Sequence, residues 1–261
     1  MKKFILSLTA LSVLCIATVT NAKTIRIGTE GAYPPWNNLN SAGELEGAEI
    51  DFGNEACKRM AVECEWVTQD WDGIIPALLN GKYDIIVAGM SITEERKEKV
   101  NFTNGYMTDG ARFAVLKGSG LADLKIAGME KVNLNNAGGK EQAAIGQLIA
   151  AMSGKTICVQ SSTIHQNFLE KHMAGAVEVR LYQSVDDHNL DLAAGRCDAI
   201  LADVGSVIDF IDTDGGVDVA FTGPTFSGGV FGDGVGGAIR KEDTDILEMW
   251  NKVIAEMGSD G

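Results

Sequence analysis

The sequence predicts an α/β fold of two similar lobes joined by a two-stranded hinge, with parallel-rich sheets flanked by helices. Two observations carry that expectation. Strand-like and helix-like segments alternate from Lys23 onward with short connections, the pattern of a parallel sheet covered by helices. A strand-helix-strand-helix-strand set then occurs twice, and in each copy a helix ending in Gly precedes an Asp-headed apolar strand, "NGKYDIIVAG" and "AGRCDAILAD".

The first set runs "TIRIG", "IDFGNEACKRMA", "CEWVTQ", "WDGIIPALLNG" and "YDIIVAG". Ile85-Ile86-Val87-Ala88 is a continuous apolar run with β-branched members, as expected of a strand buried on both faces. Thr93 then has the character of a helix N-cap, with Glu94 and Glu95 in the first turn and Lys97 and Lys99 later. "YMTDGARFAVLKG" is expected to be an extended crossover. In Leu121 to Ser153, "NLNNAGG" is expected as loop and "KEQAAIGQLIAAM" as an amphipathic helix, together a surface elaboration. The second set is "GKTICVQ", "STIHQNFLEKHM", "VEVRLY", "SVDDHNLDLAAG" and "CDAILAD". The Gly-rich "GPTFSGGVFGDGVGGAIRK" ends in a short strand, "GGAI". The expected organisation is a signal peptide over 1–22, lobe 1 over 23–109, lobe 2 over 110–226, and a return to lobe 1 over 227–261, with the two crossovers as hinge.

Lys2-Lys3, the largely apolar Phe4 to Val19, and the small residues of Thr20-Asn21-Ala22 have the form of a signal peptide cleaved after Ala22. Leu14 is too bulky to make Cys15 a lipidation site, and the apolar run continues past it. No later stretch approaches the roughly 20 apolar residues a membrane span needs. The chain carries 22 basic and 36 acidic residues, and losing Lys2 and Lys3 makes the balance more negative still. Such a chain is a poor nucleic-acid partner, which would need clustered Lys and Arg. An acidic body suits a cationic solute, or serves solubility alone.

Four cysteines remain in an oxidising compartment. On one continuous helix Cys57 and Cys64 would lie about 10 Å apart, too far for a disulfide. If the helix ends near Ala61 and the chain turns into "CEWV", the pair can close, and that bridge is expected. Cys158 and Cys197 fall in or near apolar strands and are expected as buried free thiols, a second bridge being the alternative. His165, His172 and His188 lie on predicted helices without metal-ligand spacing, and neither a Ser-His-Asp order, nor HExxH, nor CxxC occurs. No metal, cofactor or catalytic group is therefore expected. The stretch Gly89-Met90-Ser91-Ile92-Thr93 would expose backbone N–H groups and hydroxyls at the carboxyl edge of a parallel sheet, with Arg96 close by. A carboxylate would fit there, while an ordinary strand-to-helix turn with a solvated Arg is the bland reading.

"IRIGTEGAYPPW", "EIDFGNEACKRM", "AGMSITEER", "VQSST", "AAGRCDAILAD" and "VFGDGVGGAIRK" together resemble the periplasmic substrate-binding proteins of ABC importers for polar amino acids, solute-binding protein family 3. The likeness is to the lysine-arginine-ornithine-, histidine- and opine-binding branch, which carries a disulfide at the spacing of "CKRMAVEC". It implies a monomeric Venus-flytrap protein that closes on one amino acid and delivers it to a membrane permease. Arg96 would grip the ligand α-carboxylate, helped by Ser91 and by backbone N–H groups near Ser91 and Thr163. Asp203 would bind the α-ammonium. Tyr33 and Trp71 would stack on the ligand side chain, although core packing is the other role open to them, and Glu30 would meet a distal cation. Ala88 and Gly89 stand where the lysine-arginine-ornithine type has hydroxyls, which implies room for a bulkier opine.

The resemblance also implies a further aromatic, Lys-rich helix after "NKVIAEMGSDG", so either the chain given is truncated or lobe 1 lacks that element. The same fold carries cyclodienyl dehydratases acting on prephenate or arogenate, for which Glu30 is the one candidate acid or base. A cation-binding role explains Glu30 equally well, and a binding protein is the expectation.

Overall fold

The computed structural model describes residues 24–126 and 128–260, so the expected signal peptide lies outside the described residues. Lobe 1 opens with β1 (Thr24–Thr29) and a small antiparallel sheet of β2 (Ala32–Tyr33), β3 (Asn37–Leu39) and β4 (Leu45–Glu46). Next come α1 (Ala48–Met60), β5 (Glu63–Thr68), a 3-10 turn at Trp71–Gly73, α2 (Ile74–Leu79), β6 (Ile85–Ile86), the one-turn α3 (Glu94–Lys97) and β7 (Asn101–Phe102). Lobe 2 begins with β8 (Ala111–Leu116), β9 (Lys131–Asn133), α4 (Gly139–Met152) and β10 (Thr156–Gln160). It continues through α5 (Ile164–His172), β11 (Glu178–Tyr182), α6 (Val185–Ala193), β12 (Ala199–Asp203), α7 (Val204–Ile211) and β13 (Val219–Ser227). The chain returns to lobe 1 as β14 (Ala238–Ile239) and α8 (Thr244–Asp260). Among the described residues no helix is long and apolar enough to cross a membrane.

The sheets run β5-β1-β6-β14-β7 and β11-β10-β12-β8-β13-β9. In each, three consecutive strands are parallel, β5-β1-β6 and β11-β10-β12. That is the repeat legible in the sequence. The strands added from the crossovers pair antiparallel with it, β8 on β12 and β14 on β6. "GARFAVL" is therefore an inner strand of the second sheet rather than a bare connection. Where the chain crosses twice, Val235 bridges both Ser91 and Met107, so the two connections run side by side. Asp84 fixes the return, pairing with Arg26 at 2.7 Å and Arg240 at 3.1 Å.

Leu121 to Ser153 is not a surface elaboration. α4 buries Ala144, Ile145, Leu148 and Met152 in the same core as Phe113, Phe168 and Phe226. β9 pairs with β13, and the expected loop contains a 3-10 turn at Leu134–Asn136. The periodic apolar face of α4 needs a partner, and the sheet supplies one.

Ala61 takes a left-handed conformation, φ 53°, and stops α1 by donating its N–H to Lys58 O. The chain can then double back, which brings Cys57 to Cys64 with 6.2 Å between their Cα atoms in a disulfide. Cys158 and Cys197 are not free thiols, since they too are bonded, with Cα atoms 5.9 Å apart. Their strands explain it: β10 and β12 are parallel neighbours, and Cys197 lies just before β12.

Candidate functional site

Every residue expected at the site stands where a strand gives way to a loop or a helix. Glu30 follows β1, Tyr33 lies on β2, Trp71 opens the turn after β5, and Ala88, Gly89, Ser91 and Arg96 lie between β6 and the end of α3. From lobe 2 come Thr163, at the start of α5, and Asp203, at the end of β12. The carboxyl ends of β1, β6, β10 and β12 thus face a common cleft, the place where open α/β sheets bind ligands. All nine residues line one pocket, as the few polar groups of a small-molecule site converge on one concavity.

The local capping follows the sequence. Thr93 accepts a hydrogen bond from Arg96 N at 3.2 Å, and Thr163 accepts one from Gln166 N at 3.3 Å. Arg96 donates through Nη1 to Ser91 O at 3.0 Å, and its guanidinium lies 5.3 Å from the centre of the Trp71 ring. Burial pulls its pKa down to about 10, against the upward pull of Glu95 and Asp203. A cation so placed is poised for an anion.

Asp203 accepts from the Tyr33 hydroxyl and lies 3.2 Å from His165 Nε2. Burial pushes its carboxyl upward, but His165, Tyr33 and Arg96 outweigh that and hold it below the usual range. Glu30 accepts from Gln160 Nε2 at 2.6 Å, and burial pushes its pKa up to about 8, partly opposed by that hydrogen bond.

Gly89 does not open room. It adopts φ +59°, and a Cβ there would stand 2.7 Å from Tyr33 Cε1, so the aromatic ring already fills the space that a hydroxyl side chain would have taken. Its N–H donates to Glu49 Oε1 at 2.8 Å. Glu49 also accepts from Asn37 Nδ2 at 2.7 Å, and Asn37 Oδ1 accepts from Gly31 N at 2.8 Å. This buried network ties the loop carrying Glu30 and Tyr33 to the one carrying Gly89 and Ser91. Tyr33 is itself only 7% exposed, so its packing and lining roles coincide rather than compete.

The lobes meet around the cavity. Trp71 Nε1 donates to Ser162 O at 3.1 Å, Ser161 Oγ donates to Asp72 at 2.8 Å, and Asn167 Nδ2 donates to Glu95 Oε2 at 3.1 Å. With the Tyr33–Asp203 and Glu30–Gln160 contacts, these close the cleft.

The sequence model of the bacterial extracellular solute-binding proteins, family 3, matches residues 25–261. The chain belongs to that family. It is 39% identical over 237 residues, 91% of this chain and 80% of the relative, to an octopine-binding periplasmic protein of Rhizobium meliloti. It is 38% identical to an L-arginine-binding protein of Pseudomonas aeruginosa, covering 100% of this chain and 93% of that one. An ancestral arginine-binding protein solved with arginine bound superposes with a TM-score of 0.76 at 31% identity, over 91% of this chain and 93% of that one.

Three polar lining residues escaped the sequence reading, namely Gln160, His165 and His188. For His188 a signal existed. Val185, His188, Asn189 and Leu192 are all buried on α6 and recur at i, i+3, i+4 and i+7, so two polar residues share an apolar stripe. His165 and Gln160 carried no comparable pattern, because their exposure depends on how a strand end and a helix start meet.

Proposed function

We propose that this family 3 protein captures a cationic amino acid, arginine before lysine, ornithine or histidine, in the periplasm and hands it to the permease of an ABC importer. One observation carries the reading: a single buried cavity holds Arg96 together with two acids, Glu30 and Asp203. A zwitterion with an extra positive charge complements all three groups. Arg96 would take the α-carboxylate, Asp203 the α-ammonium, and Glu30 the distal cation, whose charge would favour the ionised carboxylate that burial disfavours. Tyr33 and Trp71 would flank the side chain, each adding roughly 0.5–2 kcal/mol over a cation. The arginine-binding relatives support the choice of ligand.

An octopine-like ligand is the second reading, favoured by the octopine-binding relative. Its added carboxylate branch would require the Tyr33 ring to leave Gly89, since the ring occupies the space there. A dehydratase role for Glu30 is the weaker alternative, because the relatives named above are binding proteins. It predicts product on incubation with prephenate or arogenate.

Titration calorimetry across arginine, octopine, glutamine and glutamate tests the assignment. Arginine should bind best, octopine less well and glutamate worst, because its side chain would face Glu30 in a water-poor cavity. Glu30→Gln should shrink the arginine-over-glutamine ratio by about an order of magnitude or more, the scale of one charge-assisted hydrogen bond. Tighter binding of glutamine than arginine by the parent refutes the cationic ligand and leaves the binding-protein reading standing.

A further inference from the structure

The contacts proposed for an amino acid leave His188 without a role. It projects from α6 three residues after Val185, and both line the cavity. The residue is 1% exposed, and neither ring nitrogen has a hydrogen-bond partner. Native proteins rarely bury polar atoms unpaired, so a lining residue in this state points to a group the cavity receives.

The burial of His188 sets which kind of group. The Oδ1 of Asn189, the next residue on α6, is likewise buried and unpartnered, so it does not satisfy the ring. Burial, with His165 adding in the same direction, takes the His188 pKa down to about 3, so the ring is neutral. A neutral imidazole has one N–H and one lone pair. In either tautomer the ring therefore keeps one nitrogen that can accept from an N–H entering the cavity.

The other acceptors nearby are engaged. Asp203 is held by Tyr33 and His165, and the Thr163 hydroxyl accepts from Gln166 N while donating to Gln160 O. Glu30 already accepts from Gln160. A guanidinium presents five N–H donors in a plane, more than one carboxylate can satisfy, whereas an ammonium presents three from a single point. A neutral nitrogen adds an acceptor without adding negative charge, so it distinguishes two ligands of equal charge by the number and placement of their donors.

We propose that His188 accepts an N–H from the guanidinium of the ligand and thereby makes the site choose arginine over lysine. The proposal rests on the cationic-ligand reading above. Titration calorimetry with arginine and lysine on the parent, His188→Leu and His188→Gln tests it. The parent should prefer arginine. His188→Leu should weaken arginine by roughly tenfold or more and lysine by less than about threefold, the scale of one hydrogen bond to a charged group. His188→Gln, which retains an amide acceptor, should recover part of that loss.

Equal losses for the two ligands, or an unchanged arginine affinity, overturn the proposal. So does a larger loss for octopine than for arginine, which would make the ring a donor to a carboxylate. Should His188→Leu fail to fold, the parent still decides, because asymmetric Nω,Nω-dimethylarginine has lost two N–H donors and must bind more weakly than arginine. Equal binding of the two overturns the proposal. A parent that binds no arginine defeats the underlying reading, while arginine binding indifferent to His188 defeats the role of His188 alone.

Discussion

The two lobes share one βαβαβ plan and meet the cavity with different chemistry. Lobe 1 contributes long charged chains and aromatic faces carried on a loop, a two-residue strand and one-turn elements, Glu30, Tyr33, Trp71 and Arg96. Lobe 2 contributes a helix start and polar side chains, Thr163, Gln160, His165 and His188, with Asp203 as its one acid on the wall. The disulfides divide in the same way. Cys57–Cys64 closes a short turn between α1 and β5, whereas Cys158–Cys197 joins the two strands that end in Gln160 and Asp203. On this view, most of the charge that anchors a ligand sits on lobe 1, and lobe 2 holds a pre-set wall against which that ligand is fitted.

The comparison breaks most directly at Arg96. Arg96→Ala should remove a buried cation opposite the ligand carboxylate and cost about 2–5 kcal/mol, the range for truncating one partner of a buried charge pair. Arginine affinity should fall by roughly 30-fold at the least, since each 1.4 kcal/mol is tenfold. Thr163→Ala in lobe 2 should cost much less, because backbone N–H groups there survive the change. Calorimetry giving the two variants similar losses would contradict the division between anchoring and fitting walls.

The staples sharpen it next. In the chain-entropy account, a loop as long as the separation of 39 residues between Cys158 and Cys197 stabilises by about 4 kcal/mol, against about 2.5 kcal/mol for the separation of 7 between Cys57 and Cys64. Double Cys→Ala variants compared by urea unfolding should show that order. Removing Cys158–Cys197 should also weaken arginine binding, because β10 and β12 can then shift against each other, while removing Cys57–Cys64 should leave affinity unchanged. Equal effects on binding would mean that the second bridge does not hold the wall.

How much of this was legible beforehand follows the same division. Of the lobe 1 residues, Arg96 beside Gly89 to Thr93 was suggested by its place at a strand end, while Glu30, Tyr33 and Trp71 were found through the family resemblance of the motifs around them. The repeat revealed the two sheets, since continuous apolar runs and Gly-terminated helices are local signals. Cys158 and Cys197 were misjudged because pairing across neighbouring strands depends on register, which the separate runs "TICV" and "CDAILA" do not encode. The packing of α4 and the filling of Gly89 by Tyr33 failed for the same reason, each being a contact between segments distant in the chain. His188 was visible as a polar residue on a helical apolar stripe, but its unpaired nitrogens required the cavity to be seen.

The smallest expected effect is also the one that isolates a single group of lobe 1. Burial raises Glu30 from about 4.5 to about 8 in the closed cavity. Between those values the native protein retains a proton that the unfolded chain has released, so stability falls as pH rises through that window. Glu49 and Asp109 are also raised by burial, Asp109 to about 6, and add slope of the same sign. The parent alone therefore cannot identify Glu30. Glu30→Gln removes only its share, and relative to the parent its melting temperature should gain between about pH 5 and pH 8, by about 2–4 °C for each kcal/mol recovered. Saturating arginine should remove Glu30's share of that fall in the parent, because its cation stabilises ionised Glu30, making the ligand-induced shift larger at the higher pH. In Glu30→Gln that shift should lose the dependence. Parallel melting curves for parent and variant across the whole range, with and without arginine, would show that Glu30 is not the titrating group and would move the distal cation away from lobe 1.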